Sequence, residues 1–256
     1  WMQEHMNQVS REQRSAPRPS FAKTGSAFMA EGTGARLILG VFLGTLAFNM
    51  QDVLLEPYGG EILGLAVGQT TWLTAAWAFG ALVGLAYAAR RLKAGLSAYR
   101  LMSNSIFVGL LAFPAVIVSA PIVSTTLFFV GAFLIGLGSG LFAVSTLIAA
   151  MLLGETEHTS HGLALGAWGA SQATSAGLAI ALGGTLRDWI NTLAMRGDLG
   201  ETLATPATGY SFVYHLEIAV LIVTLAILVP LVRMAQRTQS KSDHGNSGIK
   251  LADFPM

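Results

Sequence analysis

The chain has 256 residues, of which 53% are hydrophobic and only 11% charged, with 29 glycines, no cysteine and a net charge of +1. Soluble domains carry about 25% charged residues, so this composition points to a membrane protein. The near-neutral charge gives no footing for a nucleic-acid partner, and the lack of cysteine rules out disulfides and thiolate metal sites.

Residues 1–34 are polar, rich in Arg, Ser, Pro and Gly, and read as a flexible cytoplasmic linker. The opening Trp1-Met2-Gln3-Glu4 has neither an initiator Met nor signal-peptide order, so residue 1 reads as an internal position of a longer product. Six stretches then suit a hydrocarbon core about 30 Å thick. They are approximately 35–55, 66–89, 101–120, 123–150, 163–185 and 211–232, followed by a flexible tail over 234–256. The fourth is longer than a span needs and should tilt. The fold class expected is all-α: a membrane protein of six transmembrane helices.

Lys and Arg set the orientation. Arg11, Arg14, Arg18, Lys23 and Arg36, then Arg90, Arg91, Lys93 and Arg100, then Arg233, Arg237, Lys241 and Lys250 share one side, leaving only Arg187 and Arg196 on the other. Six spans with that bias place both termini in the cytoplasm.

The first span leaves hydrocarbon through Asn49-Met50-Gln51-Asp52-Val53-Leu54-Leu55-Glu56-Pro57, which plants two carboxylates and two amides at a costly depth. As a helix, this stretch puts Asn49, Asp52 and Glu56 at i, i+3 and i+7, on one face. Pro57 predicts a helix end near Glu56, and Gly59-Gly60 a tight reversal. Two carboxylates four residues apart near a helix C-terminus are unfavourable. A cation, a proton or a ligand would offset them; a solvated cap on the helix is the plainer alternative.

Glycine supplies the expected helix packing through four G-x-x-x-G pairs: Gly40/Gly44, Gly80/Gly84, Gly136/Gly140 and Gly162/Gly166. The fifth span adds Ala170 and Thr174 to one small-residue face and Gly169, Ala173, Gly177 and Ala181 to another, which reads as a central, doubly packed helix. Pro114 should kink the third span. Trp168 and Gln172 are four apart, so they share a face and could touch one ligand, with core packing the plainer reading of Trp168.

The sixth span opens Tyr214-His215-Leu216-Glu217. His215 and Glu217 are about 200° apart around a helix, so one faces the bundle and the other a neighbour or the interface. Glu155, Glu157, His158 and His161 form a short cytoplasmic string whose local spacing alone is weak evidence for a metal. With no Gly-rich phosphate loop, no HExxH and no nucleophile–base pairing, an enzyme is not expected.

Three phrases carry a resemblance: Asn49 to Gly60, Gly162 to Thr174 (Gly-Leu-Ala-Leu-Gly-Ala-Trp-Gly-Ala-Ser-Gln-Ala-Thr), and Tyr214 to Ala219. Together they resemble the PucC/LhaA family of phototrophic bacteria, a branch of the major facilitator superfamily, over about residues 35–233. The resemblance implies that this is the second six-helix half of a twelve-span bundle, with residues 1–34 in the place of the central linker and the first half as a partner. Arg90-Arg91-x-Lys93 falls where major facilitator halves carry a basic loop, without that motif's Gly and Asp.

The resemblance also implies a bacterial inner, intracytoplasmic photosynthetic membrane and assembly of light-harvesting complexes. Antenna polypeptides and the reaction-centre complex would be partners and bacteriochlorophyll the cofactor. It supplies no site residues. Magnesium of such a pigment accepts oxygen or imidazole donors, for which Asn49, Asp52, Glu56, Gln172 and His215 are the supply, His215 or Glu56 being the metal-ligand candidates. A proton-coupled transporter using Asp52 and Glu56, and a permanent accessory subunit packed through glycine stripes, are the alternatives.

Overall fold

The computed structural model describes residues 32–154 and 161–246, with side chains over 32–154 and 162–234. Most of the expected linker, the end of the tail, and Glu155, Glu157 and His158 lie outside these residues. Within them the chain forms α1 (Thr33–Met50), a 3-10 turn (Gln51–Val53), α2 (Leu55–Glu61), α3 (Val67–Lys93), α4 (Ala98–Ser119) and α5 (Thr125–Leu153). After the gap come α6 (His161–Met195), a second 3-10 turn (Glu201–Leu203) and α7 (Ala207–Asn246). No strand occurs among the described residues.

Five of these segments are long and apolar enough to cross a membrane: Thr33–Glu61, α3, α4, α5 and the Ala207–Met234 part of α7. The sixth expected span, α6, is a helix of 35 residues, but its Gly, Ala, Ser and Thr keep it outside that group. Its length, at about 1.5 Å per residue, is ample for a crossing. The last helix runs on to Asn246, well past the expected end near 232.

Two helix pairs set the architecture. Between α3 and α5, a Cβ at Gly80 or Gly84 would strike the backbone of Phe133 or Leu137, and one at Gly136 or Gly140 the backbone of Trp77 or Ala81. Both G-x-x-x-G pairs therefore face each other, and their contacts advance together along the two chains, so the helices run parallel. The second pair is α1 with α6. Ser171 donates to the Ile38 carbonyl at 3.2 Å and Ser175 to the Phe42 carbonyl, each 133 residues away in sequence. Gly183 abuts the Met50 backbone at that same offset, a parallel register held for three turns.

That register corrects two expectations. Among the described residues Gly162 and Gly166 meet nothing within 4 Å, and neither do Gly169 and Gly177, so the expected glycine stripes of α6 are open there. Serines bind α6 to α1 instead, because a hydroxyl in an apolar interior finds the neighbouring helix's carbonyl. Gly40 and Gly44 do pack, against Leu228 and Phe142.

The break after α1 also differs from expectation. The helix ends at Met50, not near Glu56, and restarts at Leu55 with Pro57 in its first turn. Proline is tolerated there because its missing N–H would have no intrahelical partner anyway. Gly59 and Gly60 lie inside α2, Gly59 against Leu65 and Phe128, and the reversal falls at Gly64, whose φ is 67°. Pro114, expected to kink its span, lies inside α4, which continues through it to Ser119.

At this end of the bundle Tyr58, Tyr210 and Tyr214 are fully enclosed, with ring centroids 5.3 Å (Tyr58–Tyr210) and 5.5 Å (Tyr58–Tyr214) apart. Phe48, Phe113 and Phe142 continue this aromatic core toward the middle of the bundle.

Candidate functional site

Two small pockets flank Trp77. One, of about 280 Å³, lies between α1, α3, α5 and α6 and is lined by Asn49, Thr45, Gln172, Phe142 and Trp77 among others. The other, of about 260 Å³, is lined by Gln51, Asp52, Leu55, Glu56, Thr74 and Trp77. The helix break explains the division. Unwinding at residues 51–54 turns Asp52 and Glu56 away from Asn49, so the single face expected of these three becomes two neighbouring compartments with one indole between them.

The polar groups are partly satisfied within the chain. Thr45 donates to the Gln172 side-chain oxygen at 2.6 Å, and the Asn49 amide donates to the Thr45 carbonyl at 2.6 Å. Gln51 donates to Asp52, and Thr74 donates to Glu56. Each carboxylate is thus met by one neutral donor, and among the described residues no cation pairs with either. Glu56 now sits in the first turn of α2, where a helix favours negative charge rather than opposing it.

Two residues lining these pockets carry an unmet valence, Gln51 at its side-chain oxygen and Trp77 at its indole nitrogen. The Trp77 indole N–H is buried and has no hydrogen-bond partner among the described residues, although it borders both pockets. A buried donor left unpaired costs about 1–3 kcal/mol, so a ligand acceptor there would be favoured. Trp168, by contrast, donates its N–H to Thr146 at 3.1 Å and lines neither pocket with Gln172. That bond, and its place against the hydrophobic core, fit the plainer reading of Trp168 as a packing residue.

His215 is exposed on the outer side of α7, remote from these pockets, whereas Glu217 is wholly enclosed, as their spacing requires. Among the described residues neither carboxylate oxygen of Glu217 makes a hydrogen bond of good geometry, nor does the Tyr214 hydroxyl one turn earlier. Asp52 and the Gln51 backbone are the groups acting on Glu217 from the facing elements. Sequence reasoning put His215 among the candidates and passed over Glu217 and Trp77. The apolar periodicity of α7, with Tyr210, Tyr214, Leu221 and Leu228 on the buried stripe, does put Glu217 on the inner face. Nothing in the spacing singled out Trp77.

Comparison with known proteins fixes the family. A family model described as PUCC protein matches residues 1–236. The chain belongs to the PucC family. It is 51% identical, over its whole length, to the "Uncharacterized protein in puhA-bchM intergenic region" of Rhodobacter capsulatus, covering 53% of that protein. It is 40% identical over 93% of its length to Protein PucC of the same species, covering 50% of it. A third relative, the bacteriochlorophyll synthase 44.5 kDa chain of Rhodobacter capsulatus, is 30% identical over 72% of the chain and 41% of its own length. The chain thus spans about half the length of the curated relatives it matches. No solved structure matches it.

Proposed function

We propose that this PucC-family chain works within a membrane assembly factor for light-harvesting and reaction-centre complexes, and that the paired pockets at Trp77, each too small to enclose a whole pigment, hold one edge of a bacteriochlorophyll for delivery to antenna polypeptides. The observation that carries the pigment reading is Trp77, whose side chain lines both pockets beside apolar residues and the side chains of Asn49, Asp52, Glu56 and Gln172, and whose buried N–H has no partner among the described residues. A pigment of this class presents ring carbonyls that accept hydrogen bonds and a magnesium that accepts oxygen donors. Asn49, Asp52, Glu56 and Gln172 would supply the oxygens, and the indole its N–H and flat face. The name of the bacteriochlorophyll synthase chain and membership of the PucC family support the same reading.

The half-length match and the parallel α1–α6 and α3–α5 pairs fit one six-helix half of a major-facilitator bundle, with the other half completing the pocket mouth. On this reading the chain binds and passes on pigment and is not an enzyme. Replacing Glu56 by Gln keeps size and removes charge, and we expect it to lower both pigment bound to the purified full-length protein and the antenna yield in cells. Unchanged pigment content and unchanged yield would refute the assignment. Substrate-dependent proton uptake in vesicles would favour secondary transport instead.

A further inference from the structure

A second place in the chain has the chemistry of a pigment site, and it lies apart from Trp77. The connection between α6 and α7 folds back over the start of α7 and leaves an open groove of about 530 Å³, lined by Ile190, Leu199, Leu203, Phe212 and His215 among others. This lies within the roughly 300–1,000 Å³ of small-molecule sites.

The hydroxyls on its rim are mostly taken. Thr208 donates to the Leu203 carbonyl at 2.6 Å, and the Thr205 and Thr208 hydroxyls lie 3.1 Å apart. His215 is different. Its Nδ1 is 2.7 Å from the Ser211 carbonyl and 3.3 Å from the Ser211 hydroxyl; the carbonyl only accepts, so the shorter contact puts the proton on Nδ1. Nε2 is then the unprotonated nitrogen of the neutral ring, and it makes no hydrogen bond among the described residues.

A metal-ligating histidine is characteristically held in this way, with the far nitrogen tied to a backbone carbonyl. A free metal ion would need three or four protein donors. No group of three His, Asp or Glu suited to a metal exists among the described residues. A metal already held by four nitrogens of a macrocycle needs only one axial donor and an apolar surface for its ring.

Resting on the pigment reading above, we infer that the α6–α7 groove is an outer binding site for a magnesium tetrapyrrole, with His215 Nε2 as the axial ligand. His215 is exposed and faces away from the buried Glu217, so a ligand there would lie on the outer surface of the bundle.

The test uses the full-length protein in mild detergent, titrated with bacteriochlorophyll a and with its metal-free counterpart bacteriopheophytin a, following absorption and circular dichroism. We expect His215→Ala to weaken bacteriochlorophyll binding by at least roughly tenfold while leaving bacteriopheophytin binding unchanged, and added imidazole to restore the bacteriochlorophyll signal. Equal affinity of the wild type for both pigments, or equal loss of both in the variant, would overturn it. Loss of pigment in Glu56→Gln but not in His215→Ala would overturn the groove while sparing the Trp77 pocket. Loss in His215→Ala alone would do the reverse.

Discussion

Glu217 shows how a single residue can run against its surroundings. It lies at 0% exposure on a largely apolar inner face, and among the described residues both of its oxygens lack hydrogen-bond partners of good geometry. An unsatisfied buried polar group lowers stability by about 1–3 kcal/mol. Glu217→Met, similar in volume and apolar, should therefore raise stability by about that amount, read as loss of helical circular dichroism on heating in detergent. A destabilised Met variant would mean that the carboxyl has a partner contributed from outside this chain. Trp77→Phe removes the unpaired indole N–H and should leave the fold's stability unchanged or slightly raised while reducing pigment retention. A Trp77→Phe protein that loses stability without losing pigment would make Trp77 a packing residue only.

At the scale of elements, contact geometry separates glycines that the sequence could not rank. Gly136→Ala would push a methyl into the Trp77 carbonyl and force α3 and α5 apart, at a cost of about 1–3 kcal/mol. Gly166→Ala meets open space and gains helix propensity of up to about 1 kcal/mol, so it should be neutral or stabilising. Comparing the melting of the two variants checks this. Destabilisation by Gly166→Ala in the full-length protein would show that another helix covers that face.

One polar clasp joins three elements: Arg187 of α6 contacts Glu61 of α2, donates to the Tyr210 hydroxyl of α7 at 2.6 Å and sits 4.3 Å from its ring centroid. The Glu61 side chain is 51% exposed, which screens the ion pair, so Arg187→Ala should cost only about 1–2 kcal/mol, much of it from the ring contact.

The same scale shows what the sequence could disclose. Long apolar runs and paired glycines report helices and close approach directly, and three of the four expected glycine pairs do pack. The register of α6 was hidden because Gly, Ala and Ser line several of its faces, and only the facing carbonyls of Ile38 and Phe42 select the serine face. The α1–α2 break was hidden because proline stops a helix from within and starts one from its first turn, and local sequence does not tell these apart. The pockets at Trp77 need α1, α3 and α6 together, which no local spacing encodes.

For the molecule as a whole, the chain spans about half the length of the relatives it matches, and the small-residue face of α6 is open among the described residues; on the function proposed above, that face is where a further helix would pack. The distribution of Lys and Arg predicts that Arg90 near the end of α3 and Arg233 in α7 share the cytoplasmic side, while Glu61 and His215 lie on the other. Cysteine labelling with an impermeant reagent, in a chain that has no cysteine of its own, should modify a cysteine placed at Gly200 but not one at Gly95 in spheroplasts. The reverse pattern would invert the topology and put the pigment sites at the wrong surface.

The most direct test of the account is the absorption spectrum of the gently solubilised full-length protein, with its copurifying polypeptides identified, for wild type and Trp77→Phe side by side. The account predicts a bacteriochlorophyll band and antenna polypeptides with the wild type, and a reduced band with the variant. A colourless wild-type protein free of antenna polypeptides, or identical bands from both, would contradict it.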